Sequence, residues 1–97
     1  MEDLTGFQRD LLTVLAGLVE PNGLDVKTEL ESYYESSINH GRLYPNLDTL
    51  VEKGLVEKQQ EGDRTNVYRI TEAGLTTLQT RRTWEDDYVE VGGEILP

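Results

Sequence analysis

Apolar residues recur at helical intervals along the first third of the chain. Phe7, Leu11, Val14, Leu15 and Leu18 fall on one face, with Arg9, Asp10 and Thr13 off it, which predicts an amphipathic helix over 5–18. Thr5-Gly6-Phe7-Gln8 has the form of a capping box, threonine at the N-cap and glutamine in the first turn. Gly17 and Glu20-Pro21-Asn22-Gly23 end this helix in a loop. A second stripe, Val26, Leu30, Tyr33 and Tyr34, predicts a helix beginning near Asn22 or Gly23. Asp25 stands in its first turn, where a carboxylate suits the helix dipole. Ser36, Ser37 and Asn39 break the pattern and offer a cap to a third helix over 40–53, in which Leu43, Leu47, Leu50 and Val51 form the inward stripe. Gly54 suits the position just past its end.

Pro45 conflicts with that third stripe, because it lacks an amide hydrogen and its ring crowds the preceding turn. Within the first turn or two it is tolerated. The chain before it, with His40, Arg42 and Tyr44, is then free to be irregular and to aim side chains outward.

After Gly54 the period changes. Residues 55–60 and 65–70 carry Val56, Val67, Tyr68 and Ile70, and Glu61-Gly62-Asp63-Arg64 between them is hairpin chemistry. Thr71 is placed to cap a fourth helix over 72–90, where Leu75 and Leu78 extend the core. Trp84, Tyr88 and Val91 then follow at i, i+4 and i+7 in an otherwise charged segment. The last six residues, GGEILP, are expected to fray.

Three helices, a hairpin and a helix are the chain order of a winged helix-turn-helix, a mainly α fold with a small β-hairpin. Its third helix enters the major groove of double-stranded DNA, and its wing reaches the flanking backbone. Residues 1–71 are expected to form this DNA-binding domain, 72–91 a dimerisation helix of the same compact unit, and 92–97 a flexible tail.

Composition removes other classes. The chain has no cysteine, which excludes disulfides, thiolate metal sites and a cysteine nucleophile. A single histidine cannot build a multi-histidine metal centre. No carboxylate pair sits on a catalytic motif and no phosphate loop is present, so neither an enzyme nor a cofactor is expected. No apolar run approaches the roughly 20 residues that span a bilayer, and MEDLTGFQRD lacks signal-peptide character. A soluble, cytoplasmic, nucleoid-associated protein without membrane contact is the expectation.

Net charge is −10, which by itself argues against nucleic acid. Its distribution alters the picture. Residues 1–35 hold two bases and eight acids, residues 72–97 two bases and six acids, and residues 36–71 five of each. The acid excess is thus absent from the segment holding the third helix and the hairpin. Solvation in concentrated salt, chance and a DNA-mimicking surface all account for the acids. Three lysines against six arginines, with acids scattered along the chain, favour the first. In such salt, potassium or other cations can bridge protein carboxylates to phosphates.

The run GRLYPNLDTLVEKGLVEK, the hairpin and YRITEAGL resemble the PadR family of winged-helix transcriptional regulators. The resemblance rests on Leu43-Tyr44-Pro45, Leu47 and Leu50, Gly54-Leu55, Tyr68, and Thr71 with Gly74. The acidic, lysine-poor form is similar to short PadR-like regulators of haloarchaea. The resemblance implies a homodimeric transcription factor, often a repressor, on a pseudo-palindromic operator, with Tyr44 at the DNA face. Two departures stand out. The long C-terminal helical domain of many members is not expected here, which would leave the fourth helix to supply most of the dimer contact. The wing has Arg64 alone at its tip beside Glu61 and Asp63, which weakens its expected phosphate grip.

Arg42 is the leading base reader, since arginine can bond guanine O6 and N7 together; phosphate contact and simple solvation are its other uses. Asn46 lies one turn on and can read adenine or meet a phosphate, and Thr49 continues the stripe. Tyr44 either meets a phosphate or packs on the second helix, and His40 either binds phosphate or caps. Lys27 and Lys53 clamp backbone or are merely solvated. Arg64, Thr65 and Asn66 enter a minor groove, touch a phosphate, or form an ordinary turn. Trp84, Tyr88, Val91 and Leu78, helped by Phe7 and Leu11 of the first helix, are the candidate dimer interface. The rival class is a winged-helix module that grips a protein partner through its acidic surface.

Overall fold

Each helix begins where a polar side chain can take up its free amides. In the computed structural model, which describes residues 3–63 and 65–95 (the last six by backbone only), Thr5 caps α1, Gly6–Gly17. The Thr5 hydroxyl accepts from the Gln8 amide, and Gln8 Oε1 accepts from the Thr5 amide, both at 3.1 Å. Asn22 and Asp25 exchange the same pair of bonds at the start of α2, Gly23–Tyr34. Asn39 Oδ1 accepts from the Arg42 amide at 2.8 Å and starts α3, His40–Glu52.

Gly54 ends α3 in the left-handed region, φ +76°. The Leu55 amide reaches back to the Leu50 carbonyl and the Gly54 amide to that of Val51, the paired bonds of a Schellman motif that only glycine closes without strain. The chain then forms β1, Val56–Glu61, and β2, Thr65–Ile70, antiparallel with Val56 opposite Ile70 and Glu61 opposite Thr65. Thr71 links hairpin and last helix. Its hydroxyl donates to the Gly54 carbonyl at 2.8 Å and accepts from the Gly74 amide at 3.1 Å. From there α4 runs Glu72–Ile95.

The core joins Leu11, Leu12 and Leu15 of α1 to Val26 and Leu30 of α2, Leu43, Leu47 and Leu50 of α3, and Leu55, Val56 and Tyr68 at the base of the hairpin. Several expectations change here. Phe7 and Leu11, assigned to a dimer interface, are buried within this chain, because α1 is the central helix and touches α2, α3, α4 and β2. Leu75 is 41% exposed instead of core, and Tyr33 is 78% exposed at the end of α2. The chain before Pro45 is regular helix. Gly41, which loses its amide partner to the proline, lies on the exposed side, where water can meet its carbonyl. Likewise α4 continues past the expected end at residue 90 to Ile95, since each added residue of an established helix gains a bond. Residues 96–97 of the expected tail lie outside the described residues.

The loop before α2 also joins the sheet. The Tyr68 amide donates to the Pro21 carbonyl at 2.8 Å, Asn22 bridges Val67, and Arg69 pairs with Glu20.

At the other end of α2 the Tyr34 hydroxyl donates to Asp10 of α1. Burial and then this bond push the tyrosine from 10.0 up to about 12. The folded state therefore holds this proton more tightly than the unfolded chain. The resulting stability is complete below pH 10 and is lost as pH rises through 12. Thermal unfolding followed by circular dichroism should show a melting temperature falling across that window. Tyr34→Phe should flatten the fall, and an unchanged slope would remove Tyr34 as its source.

Candidate nucleic-acid interface

The wheel of α3 sets the candidate surface. Leu43, Leu47 and Leu50 are fully buried, and the side directly opposite presents Gly41, Pro45, Asp48 and Glu52, all exposed. Arg42, Asn46 and Thr49 follow one flank, His40, Tyr44 and Val51 the other.

The first flank leans on α1. The Arg42 guanidinium lies 3.9 Å over the Phe7 ring. Asn46 Nδ2 donates to the Arg42 carbonyl at 2.7 Å, and Gln8 Nε2 donates to Asn46 Oδ1 at 2.9 Å. Gln8 therefore caps α1 with its oxygen and orients Asn46 with its nitrogen. Thr49 spends its hydroxyl on the Pro45 carbonyl at 3.0 Å.

The second flank faces α2 and the wing. The Tyr44 ring lies against the backbone of Gly23, where a Cβ would stand 2.5 Å from the ring. Only glycine fits. Tyr44, Thr65 and Asn66 then line one hollow of about 310 Å³ with Asn22, Leu24 and Tyr68, so three of the candidate residues meet between the start of α2 and the wing. The His40 ring stands edge-on to Tyr44 at 5.5 Å.

The remaining cations are more dispersed. Lys27 pairs with Glu31 one turn away at 2.8 Å, and Glu31 also accepts from the Ile38 amide. The lysine bond first, then the amide, holds the Glu31 carboxyl below its usual range. Lys53 is the C-cap of α3. Lys58 on β1 reaches Asp48 at 3.3 Å, tying the outward side of α3 to the wing. Arg64 lies outside the described residues.

On α4, Leu78 packs against the core, while Trp84 and Tyr88 are 51% and 65% exposed with rings 5.3 Å apart. The Val91 side chain lies outside the described residues. A separate groove of about 710 Å³ between α1 and α4 is lined by Leu75, Leu78 and Val89 with Arg9, Arg82 and Asp86; Trp84 and Tyr88 take no part in it.

Gln8, Gly23 and the Asp48–Lys58 pair shape the surface without any signal of it in the sequence pattern. Gln8 shows only its capping role, and Gly23 only a loop and the start of a helix. Their partners stand far along the chain, at no interval that a periodic pattern reveals.

A three-helix core with a hairpin packed beside α3 agrees with the family comparison. The sequence model of the Transcriptional regulator PadR-like family matches residues 11–80. The chain belongs to this family. Its members are DNA-binding regulators and not enzymes. RosR of H. salinarum, in crystals grown from NaBr, is 49% identical over 89% of this chain and 77% of its own, with TM-score 0.84. The complex hsRosR-SG gives 48% identity over 91% of this chain and 79% of that one, with TM-score 0.85. FabT of Streptococcus pneumoniae, in complex with DNA, is 18% identical and shares the fold, with TM-score 0.77 over 98% of this chain and 64% of its own. No curated protein sequence matches the chain. This PadR-like chain is thus a winged helix, and no helix among its described residues is long and apolar enough to cross a membrane.

Proposed function

We propose that the chain acts in the cytoplasm as a homodimeric repressor on a pseudo-palindromic operator. Each copy sets α3 in a major groove and lays the wing on the flanking backbone or minor groove. The observation that carries this is the placement of Arg42 and Tyr44 on opposite flanks of the exposed side of α3. A helix lodged in the groove has a phosphate backbone on each side, and these residues serve one each. Arg42 can also turn to a guanine edge. Asn46 and Thr49 continue the Arg42 flank, and His40, Thr65 and Asn66 extend the Tyr44 flank. Lys27, Lys53 and Arg64 are outlying backbone contacts.

Dimerisation through α4 is supported by Trp84 and Tyr88, two large rings that the monomer leaves half or more exposed. Two copies joined there hold their α3 helices about one DNA turn apart, roughly 34–36 Å, as the motif requires.

Asp48 and Glu52 on the outward side of α3 put carboxylates where DNA comes closest. At about 1 M salt the Debye length falls to roughly 3 Å, which screens long-range repulsion. Potassium held between carboxylates of the protein and phosphates joins the two surfaces. Binding should therefore persist as potassium chloride rises from about 0.1 to 3 M, where an ordinary basic binder loses orders of magnitude. Fluorescence anisotropy on a duplex that the protein enriches from a random library, with a scrambled control, tests this and reads the stoichiometry. Selective binding in molar salt with two chains per duplex is the expected result. A steep monotonic loss with salt would remove cation bridging, and one chain per duplex would remove the dimer.

A further inference from the structure

Gly41, like Gly6 and Gly17 at the two ends of α1, has no steric reason to be glycine. Gly23 makes room for Tyr44, Gly54 is left-handed, and a Cβ on Gly74 would meet backbone. Gly41 is exposed within α3, its φ is not positive, and a Cβ there would meet only Asn39 Oδ1, at the ordinary van der Waals distance of 3.4 Å. Glycine is also among the poorest residues for a helix. Helix formation gives no preference for glycine here, in the first turn of α3.

What lies around Gly41 supplies the reason. It starts the outward crest of α3, with Pro45 one turn on. Arg42 leans to α1 and Tyr44 to Gly23, away from the crest on either side. Asp48 is drawn toward the wing by Lys58. The crest of the first two turns is therefore bare backbone and a proline ring, between two flanks equipped with long side chains.

We infer that Gly41 is a close-approach residue that sets how deeply α3 seats in the groove. This rests on the DNA-binding function proposed above. The missing side chain brings the main chain of the first turn against the base edges, a use for which glycine is suited wherever backbone must approach a ligand. The Pro45 ring follows it as an apolar surface that fits a thymine methyl. A methyl group on residue 41 would lift the helix, lengthening the contacts of Arg42 and Tyr44 together.

A competing account is internal. The Pro45 ring crowds the carbonyl of residue 41, and glycine there would relieve it. The two accounts predict opposite changes in stability, because alanine and leucine are better helix formers than glycine unless that relief is needed.

The test uses the full chain and a duplex enriched from a random-sequence library by the wild type, with Gly41→Ala and Gly41→Leu compared in anisotropy and thermal melting. Both variants should melt at or above the wild-type temperature. Alanine should weaken binding about tenfold, the scale of one mismatched base pair, and leucine more. Alanine binding within about twofold of wild type, well below one mismatch, would overturn the inference while leaving the DNA-binding function intact. So would a melting temperature lowered in step with affinity. If the wild type enriches no duplex, the DNA-binding function fails and the role of Gly41 falls with it.

Discussion

Gly74→Ala is expected to destabilise the fold by about 2–3 kcal/mol, the range for forcing an extra group into a packed site. In an exposed stretch of helix the same change stabilises by up to about 1 kcal/mol, so the sign is diagnostic. A Cβ on residue 74 would stand 2.3 Å from the Leu55 carbonyl oxygen and 2.6 Å from Ile70 Cγ1. The isoleucine can turn aside. The carbonyl cannot, because it accepts from the Thr71 amide at 3.0 Å at the junction of hairpin and α4. Relief requires α4 to back away from the start of β1, which also pulls the Thr71 hydroxyl from Gly54. A shift of this size is a large part of the roughly 5–15 kcal/mol that holds a domain together. Urea unfolding should show a lower midpoint with an unchanged slope. A midpoint equal to or above wild type would mean that α4 is not seated as described.

Arg42→Ala is expected to weaken operator binding about thirtyfold, or near 2 kcal/mol, if each of two copies forfeits a contact at the lower end of the 1–3 kcal/mol range. Folding should be little affected, since the guanidinium is exposed and only its stacking on Phe7 is lost. Arg42→Lys should recover only part of the affinity, because a lysine offers neither the planar surface that lies over the ring nor a two-pronged donor. Anisotropy titrations of the three proteins at fixed salt measure this. Equal affinities would place the DNA contact elsewhere. Loss for alanine with full recovery for lysine would make Arg42 a point charge on a phosphate.

Most of the fold was legible because its signals are local. Thr5 with Gln8, Asn39 and Gly54 mark helix ends through bonds spanning a few residues, and the leucine stripe of α3 needs only its own period. Misjudgements arose where a residue answers to several elements at once. Phe7 and Leu11 read as one face of a helix, but α1 is surrounded, so that face had no partner surface to spare. Leu75 fits the helical period of α4 yet stands over an open groove beside α1. For the candidate site, the residue types and their helix could be read. Which way each side chain leans could not, because Gln8, Gly23 and Lys58 decide that from α1, α2 and β1.

The stitching of the first interhelical loop to β2 has a mechanical consequence. Pro21, Asn22 and Glu20 hold Tyr68, Val67 and Arg69 along half of that strand. The wing is thus a cantilever clamped at its root. Its base cannot swing without dragging the first turn of α2 and the tyrosine seated there. Docking onto a duplex would not have to order this root, because the entropy of ordering it is already lost in folding.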